Sequence, residues 1–273
     1  MIDDFLAGDL TDVEEAVRKA AAAEIMPRFR QLAAHEIVEK KGPHDLVTVA
    51  DRMAEEHLTA ALTVLLPGSR VVGEEAVHAD PAVLDALRGD DPVWIVDPVD
   101  GTRQFVHGDP GFATLVCLAH RGELLASWTY APALDLMATA RRGAGAFLGG
   151  EPLRPGPAAP GAELRVAISH YDFTTDDEKR LLARLDTPGV ATRPCGSAGL
   201  EYLNVARGEI DAVAFSWPNA WDHAAGLLLV VEAGGASGTV AGEPFRIGGG
   251  NTMPFSAARD AGTLARILGL LAA

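Results

Sequence analysis

The residues best suited to chemistry in this chain are two acids, Asp97 and Asp100, in the stretch WIVDPVDGTRQF. An apolar run with the length and β-branched content of a buried strand comes directly before them. Pro98 fixes the backbone and Gly101 permits a tight turn, so both carboxylates and the carbonyl of Val99 can converge on one point. Clustered carboxylate and carbonyl oxygens are ligands of hard divalent cations. This turn is therefore a candidate metal site.

The turn continues into Thr102, which could begin a short helix. The backbone N–H groups at a helix start have no partner within the helix, so they suit a phosphate group. Bound cations beside a phosphate are a common arrangement for phosphoryl chemistry. The stretch therefore predicts a place where metal and phosphate meet.

Three further segments present carboxylates at the boundary of a predicted element. They carry Asp51 at a helix start, Glu74 and Glu75 after a strand, and Asp222 before a helix. Each one alone is also explained by ordinary capping. In a shared cleft, two carboxylates about 4 Å apart would repel by about 4 kcal/mol at an effective dielectric constant of about 20, so cations would have to neutralise them. Oxygen donors without a Cys/His cluster favour Mg²⁺, Ca²⁺ or Mn²⁺ over zinc.

The composition of the chain is that of a folded globular protein with a substantial core, since 48% of its 273 residues are hydrophobic. A formal charge of −15 argues against a nucleic acid or an anionic membrane as its main partner. Cys117 and Cys195 lie far apart, which excludes a disulfide framework and fits a cytoplasmic protein. The acidic start has no secretory pattern, and no apolar run approaches the roughly 20 residues of a membrane span.

The elements that must position these acids form an α/β pattern. Hydrophobic periodicity and turn residues predict helices over 9–34 and from about 51 to 66, a strand over 70–73, a linker-like stretch over 76–91, an antiparallel meander over 111–148, and alternating strands and helices from 164. A Pro/Gly-rich segment over 151–163 separates the two parts. We expect an N-terminal α+β lobe, 1–150, with most metal ligands, and a C-terminal α/β lobe, 151–273, that contributes Asp222 and substrate contacts.

The motifs VVGEE, WIVDPVDGT and WDHAAGLLLVVEAGG, preceded by KKGPHDLVTVAD, resemble those of the inositol monophosphatase family of Mg²⁺-dependent, lithium-sensitive phosphatases. The resemblance extends from about Lys40 to Gly235. It implies the layered αβαβα sandwich shared with fructose-1,6-bisphosphatase, in which two lobes face one active site, and it implies a homodimer.

The resemblance also implies roles for particular residues. The implied metal ligands are Glu74, Asp97, the Val99 carbonyl, Asp100 and Asp222, with Glu75 and Asp51 near a more weakly held ion. The implied phosphate and substrate contacts are Lys40, Gly101, Thr102, Gly196, Ser197, Ala198 and Asp222. The implied catalytic residues, which position and activate the attacking water, are Asp51, Glu74 and Thr102. The implied cofactor is Mg²⁺, with two or three ions bound and Mn²⁺ as an alternative.

These roles imply a phosphomonoesterase that acts on a small polyol or sugar phosphate of the inositol 1-phosphate type through a metal-activated water. Position 215 is Phe, where inositol-hydrolysing members often carry an acid. The residue directly after DGT is Arg103, and related histidinol-phosphate phosphatases often have a basic residue at this position. Histidinol phosphate is therefore an alternative substrate. A regulatory binding protein and a Ca²⁺-stabilised structural protein are alternatives of other classes. Trp217, Asn219 and His223 could face the substrate or serve in packing.

Overall fold

The computed structural model describes residues 2–42 and 45–272 of the chain, in which two main β-sheets and a small hairpin are packed with helices. The strands are β1 (Ile37–Gly42), β2 (Asp45–Thr48), β3 (Arg70–Gly73), β4 (Val93–Asp100), β5 (Ala113–His120), β6 (Glu123–Ala131), β7 (Leu136–Arg141), β8 (Gly145–Leu148), β9 (Glu151–Pro152), β10 (Leu164–Ile168), β11 (Val190–Pro194), β12 (Ala212–Phe215), β13 (Ala236–Thr239) and β14 (Phe255–Ala258). The helices are α1 (Ile2–Ala7), α2 (Thr11–Ala20), α3 (Val49–Leu65), α4 (Glu74–Ala79), α5 (Thr102–Val106), α6 (Asp176–Leu182), α7 (Ala198–Ala206), α8 (Ala220–Glu232) and α9 (Ala261–Ala272).

The two sheets and their helices form five layers. The seven-stranded sheet has the order β3-β4-β5-β6-β7-β8-β9, and α2 and α3 cover one of its faces, where Leu58 and Trp94 share a hydrophobic cluster. Helices α7 and α8 lie between this sheet and the five-stranded sheet, whose order is β11-β10-β12-β14-β13. Helices α6 and α9 cover the outer face of the five-stranded sheet through residues such as Leu182 and Ile267. The expected αβαβα sandwich is confirmed.

Helix α8 reaches the middle of the molecule because it is apolar around most of its circumference. Its buried residues run from His223 to Val230 without a break, and they contact both sheets. A helix with apolar residues on all sides must be buried. The first turn of α8 therefore places Asp222, which is half-buried, next to the large sheet.

Strands β5 to β8 form the predicted antiparallel meander, with tight turns at Arg121-Gly122 and before Asp135, where the backbone takes positive φ values. Strand β4 also pairs antiparallel with β5. Strand β3 is instead parallel to β4, and Gly73 pairs with Val96. Both strands therefore end at the same edge of the sheet. The acids at the end of β4 are thereby brought beside those that follow β3.

Three parts of the chain differ from the sequence-based expectations. The predicted helix over 9–34 ends early: α2 continues only through one π-helical turn, Ala21–Ile25, since Pro27 has no N–H to extend the helical hydrogen bonding. The stretch 76–91 contains the end of α4 and a 3₁₀ helix, Pro81–Arg88, rather than a linker. Strands β1 and β13 and helix α1 were not predicted.

The boundary between the sheets falls in the Pro/Gly-rich segment, between the end of β9 and the start of β10. The division into lobes of residues 1–150 and 151–273 stays a prediction. Among the described residues, no helix is both long and apolar enough to cross a membrane.

Candidate active site

The turn at the end of β4 brings its two acids together by breaking the regular strand geometry. Side chains alternate between the faces of a strand, so residues three apart would normally point to opposite sides. Here the pairing of β4 with β5 shifts between Asp97 and Asp100, and such irregularities re-aim side chains. The Thr114 hydroxyl donates to the Pro98 carbonyl at 2.9 Å, and Gly101 takes a φ of +87°. These two features hold the turn in the conformation that brings the two carboxylates together.

A third carboxylate joins this pair from the first turn of α8. Oxygen atoms of Asp97, Asp100 and Asp222 all lie within 4.8 Å of one another. The indole Nε1 of Trp217 donates to Oδ2 of Asp222 at 2.8 Å. Residues 97 and 222 are 125 positions apart in the chain, so only the packing of α8 against the large sheet makes this cluster.

Asp100 is fixed from the other side by the start of α7. Its carboxylate accepts hydrogen bonds from the Ser197 hydroxyl, from the Ala198 N–H at 3.0 Å and from the Gly199 N–H at 2.7 Å. A Cβ atom at position 199 would lie only 2.3 Å from a methyl carbon of Leu115. Glycine at this position therefore lets the helix start approach the carboxylate closely.

Helix α3 contributes Asp51, which has two tasks. Its Oδ2 accepts from both the backbone N–H of Thr48, at 2.8 Å, and the Thr48 hydroxyl, at 2.6 Å, which caps the helix. Its Oδ1 lies 3.1 Å from the Thr102 hydroxyl, which also contacts the Val99 carbonyl at 2.9 Å. The cap of α3 is thus connected directly to the turn that follows β4.

Glu74 and Glu75 occupy the first turn of α4, and a buried acid holds their backbone in place. Glu55 is 6% exposed, and its two carboxylate oxygens accept from the N–H groups of Glu75 and Ala76, each at 2.8 Å. A Cβ atom at Gly73 would lie 2.2 Å from the Glu55 carboxyl carbon. Glu55 was not among the predicted site residues, although a signal existed in the sequence: it lies one turn after Asp51 on the buried face of α3.

The electrostatics of the cluster favour a bound cation. Burial first, and then the charges of Glu74, Asp100 and Asp222, raise the pKa of Asp97 well above its usual range. Burial and the charges of Asp100 and Glu74 raise the pKa of Asp222 to about 8. Burial also raises the pKa of Asp100, but only to about 6, because the hydrogen bonds from α7 favour its charged form. Burial, together with the charge of Glu74, raises the pKa of Asp51 to about 7.

These acids lie at a cleft of about 370 Å³, which is lined by residues from segments that connect the strands of both sheets. The predicted site residues that line it are Glu74, Asp97, Val99, Asp100, Gly101, Thr102, Gly196, Ala198 and Asp222. Asp51 and Ser197 instead contact lining residues, Thr102 and Asp100, from behind. Glu75 is in the same turn as Glu74 but is not part of the lining. The side chain of Lys40 lies outside the described part of the structure.

The residues around Asp222 are divided between the cleft and the core. Trp217 and Asn219 line the cleft. His223 does not, because its ring is fully buried between two partners: Nε2 lies 2.8 Å from the Trp217 carbonyl and Nδ1 lies 3.0 Å from the Tyr202 hydroxyl. Burial lowers the pKa of His223 to about 3, so the ring is neutral and serves in packing.

Comparison with known proteins identifies the family of the whole chain. The sequence profile of the inositol monophosphatase family matches residues 8–265. The chain is 33% identical over 240 residues to the inositol-1-monophosphatase of Bacillus subtilis, with 86% of this chain and 88% of that protein covered. It is 34% identical over 232 residues to the Nus factor SuhB of Pseudomonas aeruginosa, with 81% and 83% covered.

A solved structure, the IMPase of Thermotoga maritima, superposes on the chain with a TM-score of 0.75 at 28% identity, over 94% of each chain. Sequence profile, relatives and fold therefore agree over nearly the whole length. The chain belongs to the inositol monophosphatase family, whose members are phosphoric monoester hydrolases.

Proposed function

We propose that this hydrolase cleaves a small polyol or sugar phosphate of the inositol 1-phosphate type, with two or three Mg²⁺ ions held in the carboxylate cleft. The observation that carries the proposal is the convergence of Asp97, Asp100 and Asp222 within 4.8 Å. Asp97 and Asp100 are buried and Asp222 is half-buried, and three carboxylates this close repel one another unless a cation lies among them. The ester class is supported by the Bacillus subtilis relative, an inositol-1-monophosphatase.

The donor set fits a hard divalent cation. The residues that would hold it are Glu74, Asp97, Asp100 and Asp222 through carboxylates and Val99 through its carbonyl, with Asp51 and Glu75 beside an outer ion. Cys195 also lines the cleft, but burial raises the pKa of its thiol well above its usual range, so it stays protonated and is a poor ligand. Oxygen-only ligation suits Mg²⁺, or Mn²⁺ in its place.

When bound, such ions lower the pKa of a water molecule and offset the negative charge of the phosphoryl group. The protein's own contribution to water activation is the pair Thr102 and Asp51. The Thr102 hydroxyl can donate to Oδ1 of Asp51 while its oxygen accepts from a water in the cleft. This orients a lone pair of the water towards the phosphorus, and Glu74, which also lines the cleft, can take up the proton.

The phosphate itself is proposed to lie against the N–H groups of Gly101 and Thr102. Both residues line the cleft directly after the two acids of β4. Gly196 and Ala198 line the cleft from the other lobe, next to the alcohol part of the ester. Ser197 acts through Asp100, because its hydroxyl donates to that carboxylate.

A regulatory role is the second candidate, and one observation favours it. A relative with 34% identity is the Nus factor SuhB of Pseudomonas aeruginosa. A binding role of this kind can coexist with hydrolysis, since the candidate metal ligands are all present in this chain. The family resemblance also predicts inhibition by lithium and a homodimer, and the two distant cysteines predict a cytoplasmic location.

The proposal is tested by phosphate release from a panel of esters in Mg²⁺ by the purified protein. The panel contains inositol 1-phosphate, histidinol phosphate, fructose 1,6-bisphosphate and a nucleotide 2′-phosphate. We expect Asp97→Asn and Asp222→Asn to lower kcat/KM at least a hundredfold, roughly the loss that follows removal of a charge-stabilising group. Asp85→Asn is the matched control, because this acid is exposed and far from the cleft.

Two results would contradict the proposal. Full activity of either cleft variant would exclude the carboxylate cluster as the catalytic centre. Absence of release from every ester by the wild-type protein would contradict the proposed ester class and favour the two non-catalytic alternatives, the regulatory role and the Ca²⁺-stabilised structural protein. Release from histidinol phosphate alone would agree with metal-dependent hydrolysis and would contradict the proposed polyol or sugar ester.

A further inference from the structure

Two side chains outside the cleft, Tyr202 and His223, begin a series of hydrogen bonds that ends at Asp222. The Tyr202 hydroxyl lies 3.0 Å from Nδ1 of His223, and Nε2 of the same ring lies 2.8 Å from the Trp217 carbonyl. The Trp217 indole N–H then donates to Oδ2 of Asp222 at 2.8 Å. Tyr202 and His223 are both fully buried. The core is thereby connected to a carboxylate of the proposed metal site.

The partners of His223 determine the direction of each bond. A carbonyl oxygen can only accept, so Nε2 must carry the hydrogen. The ring is neutral, because it packs among the rings of Phe215, Phe245 and Phe255, where a charge would lose its hydration. In this tautomer Nδ1 can only accept. The Tyr202 hydroxyl therefore donates to Nδ1 and fixes the tautomer.

Close packing of α7 against α8 brings Tyr202 to this ring. Gly226 lies one turn after His223 on the same face of α8. A Cβ atom at position 226 would lie only 2.1 Å from a ring carbon of Tyr202. Glycine therefore lets the tyrosine ring lie directly against α8, where its hydroxyl reaches the imidazole.

The loop of residues 216–219 connects β12 to α8 and decides where the indole of Trp217 lies. His223 holds this loop in two ways. Its Nε2 binds the Trp217 carbonyl, and its ring packs against the indole, with the two centroids 5.1 Å apart. A rotation of the His223 ring would therefore move the indole donor relative to Asp222.

We propose that Tyr202 is a positioning residue of the metal site. It holds the His223 ring in the orientation that binds the Trp217 carbonyl, and this keeps the indole N–H on Asp222. Buried networks in which each group has a partner favour one arrangement of the side chains. Partners that orient a metal ligand strengthen metal binding. The inference rests on the proposed function, because it takes Asp222 as a ligand of Mg²⁺.

The test removes the first bond of the series with Tyr202→Phe, which keeps the ring. We expect the Kd of Mg²⁺, measured by calorimetry without substrate, to rise roughly three- to tenfold, less than the roughly 10- to 100-fold typical for a direct partner of a ligand. The value of kcat at saturating Mg²⁺ should stay within about twofold of the wild type, because the hydroxyl does not line the cleft. Tyr130→Phe is the matched control: Tyr130 is also buried, and its hydroxyl contacts Asp135 at 3.4 Å, outside the cleft.

Nuclear magnetic resonance of the metal-free protein gives a readout that depends on neither metal nor activity. The ring-nitrogen signals of His223 should show a hydrogen on Nε2 and none on Nδ1. The indole N–H signal of Trp217, identified by its loss in Trp217→Phe, should shift in Tyr202→Phe and stay in place in Tyr130→Phe. His223→Gln, whose amide can donate to the same carbonyl, should keep a Kd of Mg²⁺ closer to the wild type than His223→Leu.

The outcomes separate this inference from the proposed function. An unchanged Kd in Tyr202→Phe, or an equal rise in Tyr130→Phe, would overturn the positioning role and leave the phosphatase function standing. A hydrogen on Nδ1 of His223 would overturn the assigned direction of the bonds and with it the role of Tyr202. Absence of Mg²⁺ binding by the wild type would overturn both the metal site and the inference. The expected change in Kd without phosphate release from any ester would support the inference and overturn the hydrolysis alone.

Discussion

The indole nitrogen of Trp217 donates a 2.8 Å hydrogen bond to Oδ2 of Asp222, a carboxylate of the proposed metal site. This bond fixes which face of the carboxylate points to the cluster. Partners that orient a metal ligand typically contribute about 10- to 100-fold to metal affinity. Trp217 is therefore expected to act on metal binding as well as on the shape of the cleft.

The first prediction concerns this bond. Trp217→Phe keeps an aromatic ring and removes the donor, so the Mg²⁺ concentration for half-maximal activity should rise roughly tenfold. Trp94→Phe is the control, because Trp94 Nε1 donates to the Ser69 hydroxyl at 3.1 Å, remote from the cleft. That variant should lose stability without changing the Mg²⁺ requirement. Equal Mg²⁺ requirements in wild type and Trp217→Phe would show that the bond does not position Asp222.

The second prediction concerns Glu55, which holds the turn that carries Glu74 and Glu75. In Glu55→Gln one of the two N–H groups loses its acceptor, at a cost of about 1–3 kcal/mol in the free energy of unfolding. We also expect a severalfold loss of kcat, because the backbone before Glu75 is no longer fixed. Urea unfolding and phosphate release measure the two effects. Glu56→Gln, at an exposed position of the same helix, should match the wild type in both.

The third prediction concerns pH. Without metal, the pKa values of Asp100, Asp51 and Asp222 are about 6, 7 and 8 in the folded protein, against about 4 when unfolded. Between about pH 4 and pH 8 the folded state therefore holds protons that the unfolded chain has released, and the free energy of unfolding falls as pH rises. Mg²⁺ binds the deprotonated groups, so its stabilising effect should grow over the same range.

Thermal unfolding in chelator and in Mg²⁺, at about pH 5.5 and about pH 8, measures this linkage. Asp222→Asn gives a second check of the direction. Without metal at the higher pH it should have a higher Tm than the wild type, because a charge repelled by Asp100 and Glu74 is removed, and it should gain less from Mg²⁺. A metal-free wild type that becomes more stable as pH rises would contradict the assigned shifts.

Much of this site could be predicted from sequence because it lies in short contiguous turns. The turn with Asp97 and Asp100 is indicated by Pro98 and Gly101. The predicted strand ended before Asp97, whereas β4 extends from Val93 through Asp100, because its pairing with β5 continues past the first acid with a shift in register. Asp222 and the start of α8 were predicted in the same way, because an apolar helix follows at once. In each case the residues adjacent in sequence were sufficient to predict the site residue.

What could not be predicted depends on contacts between distant segments. The bonds from the start of α7 to Asp100 join residues 97 to 99 positions apart, and no local pattern specifies that approach. The burial of His223 follows from the packing of α8 between two sheets, so its nearness to Asp222 in sequence suggested a place at the cleft that it does not have. Glu55 resembles an ordinary helix residue until Gly73 is seen to leave room for it.

The central claim is that the carboxylate cluster at Asp97, Asp100 and Asp222 holds the divalent cations on which hydrolysis depends. Its most direct test is the rate of phosphate release by protein freed of metal with a chelator and then titrated with Mg²⁺, using the best ester of the panel. We predict no release above background without metal, saturable recovery in the wild type and no recovery in Asp97→Asn. Undiminished release by the chelated wild-type protein, or equal recovery in the variant, would contradict the account.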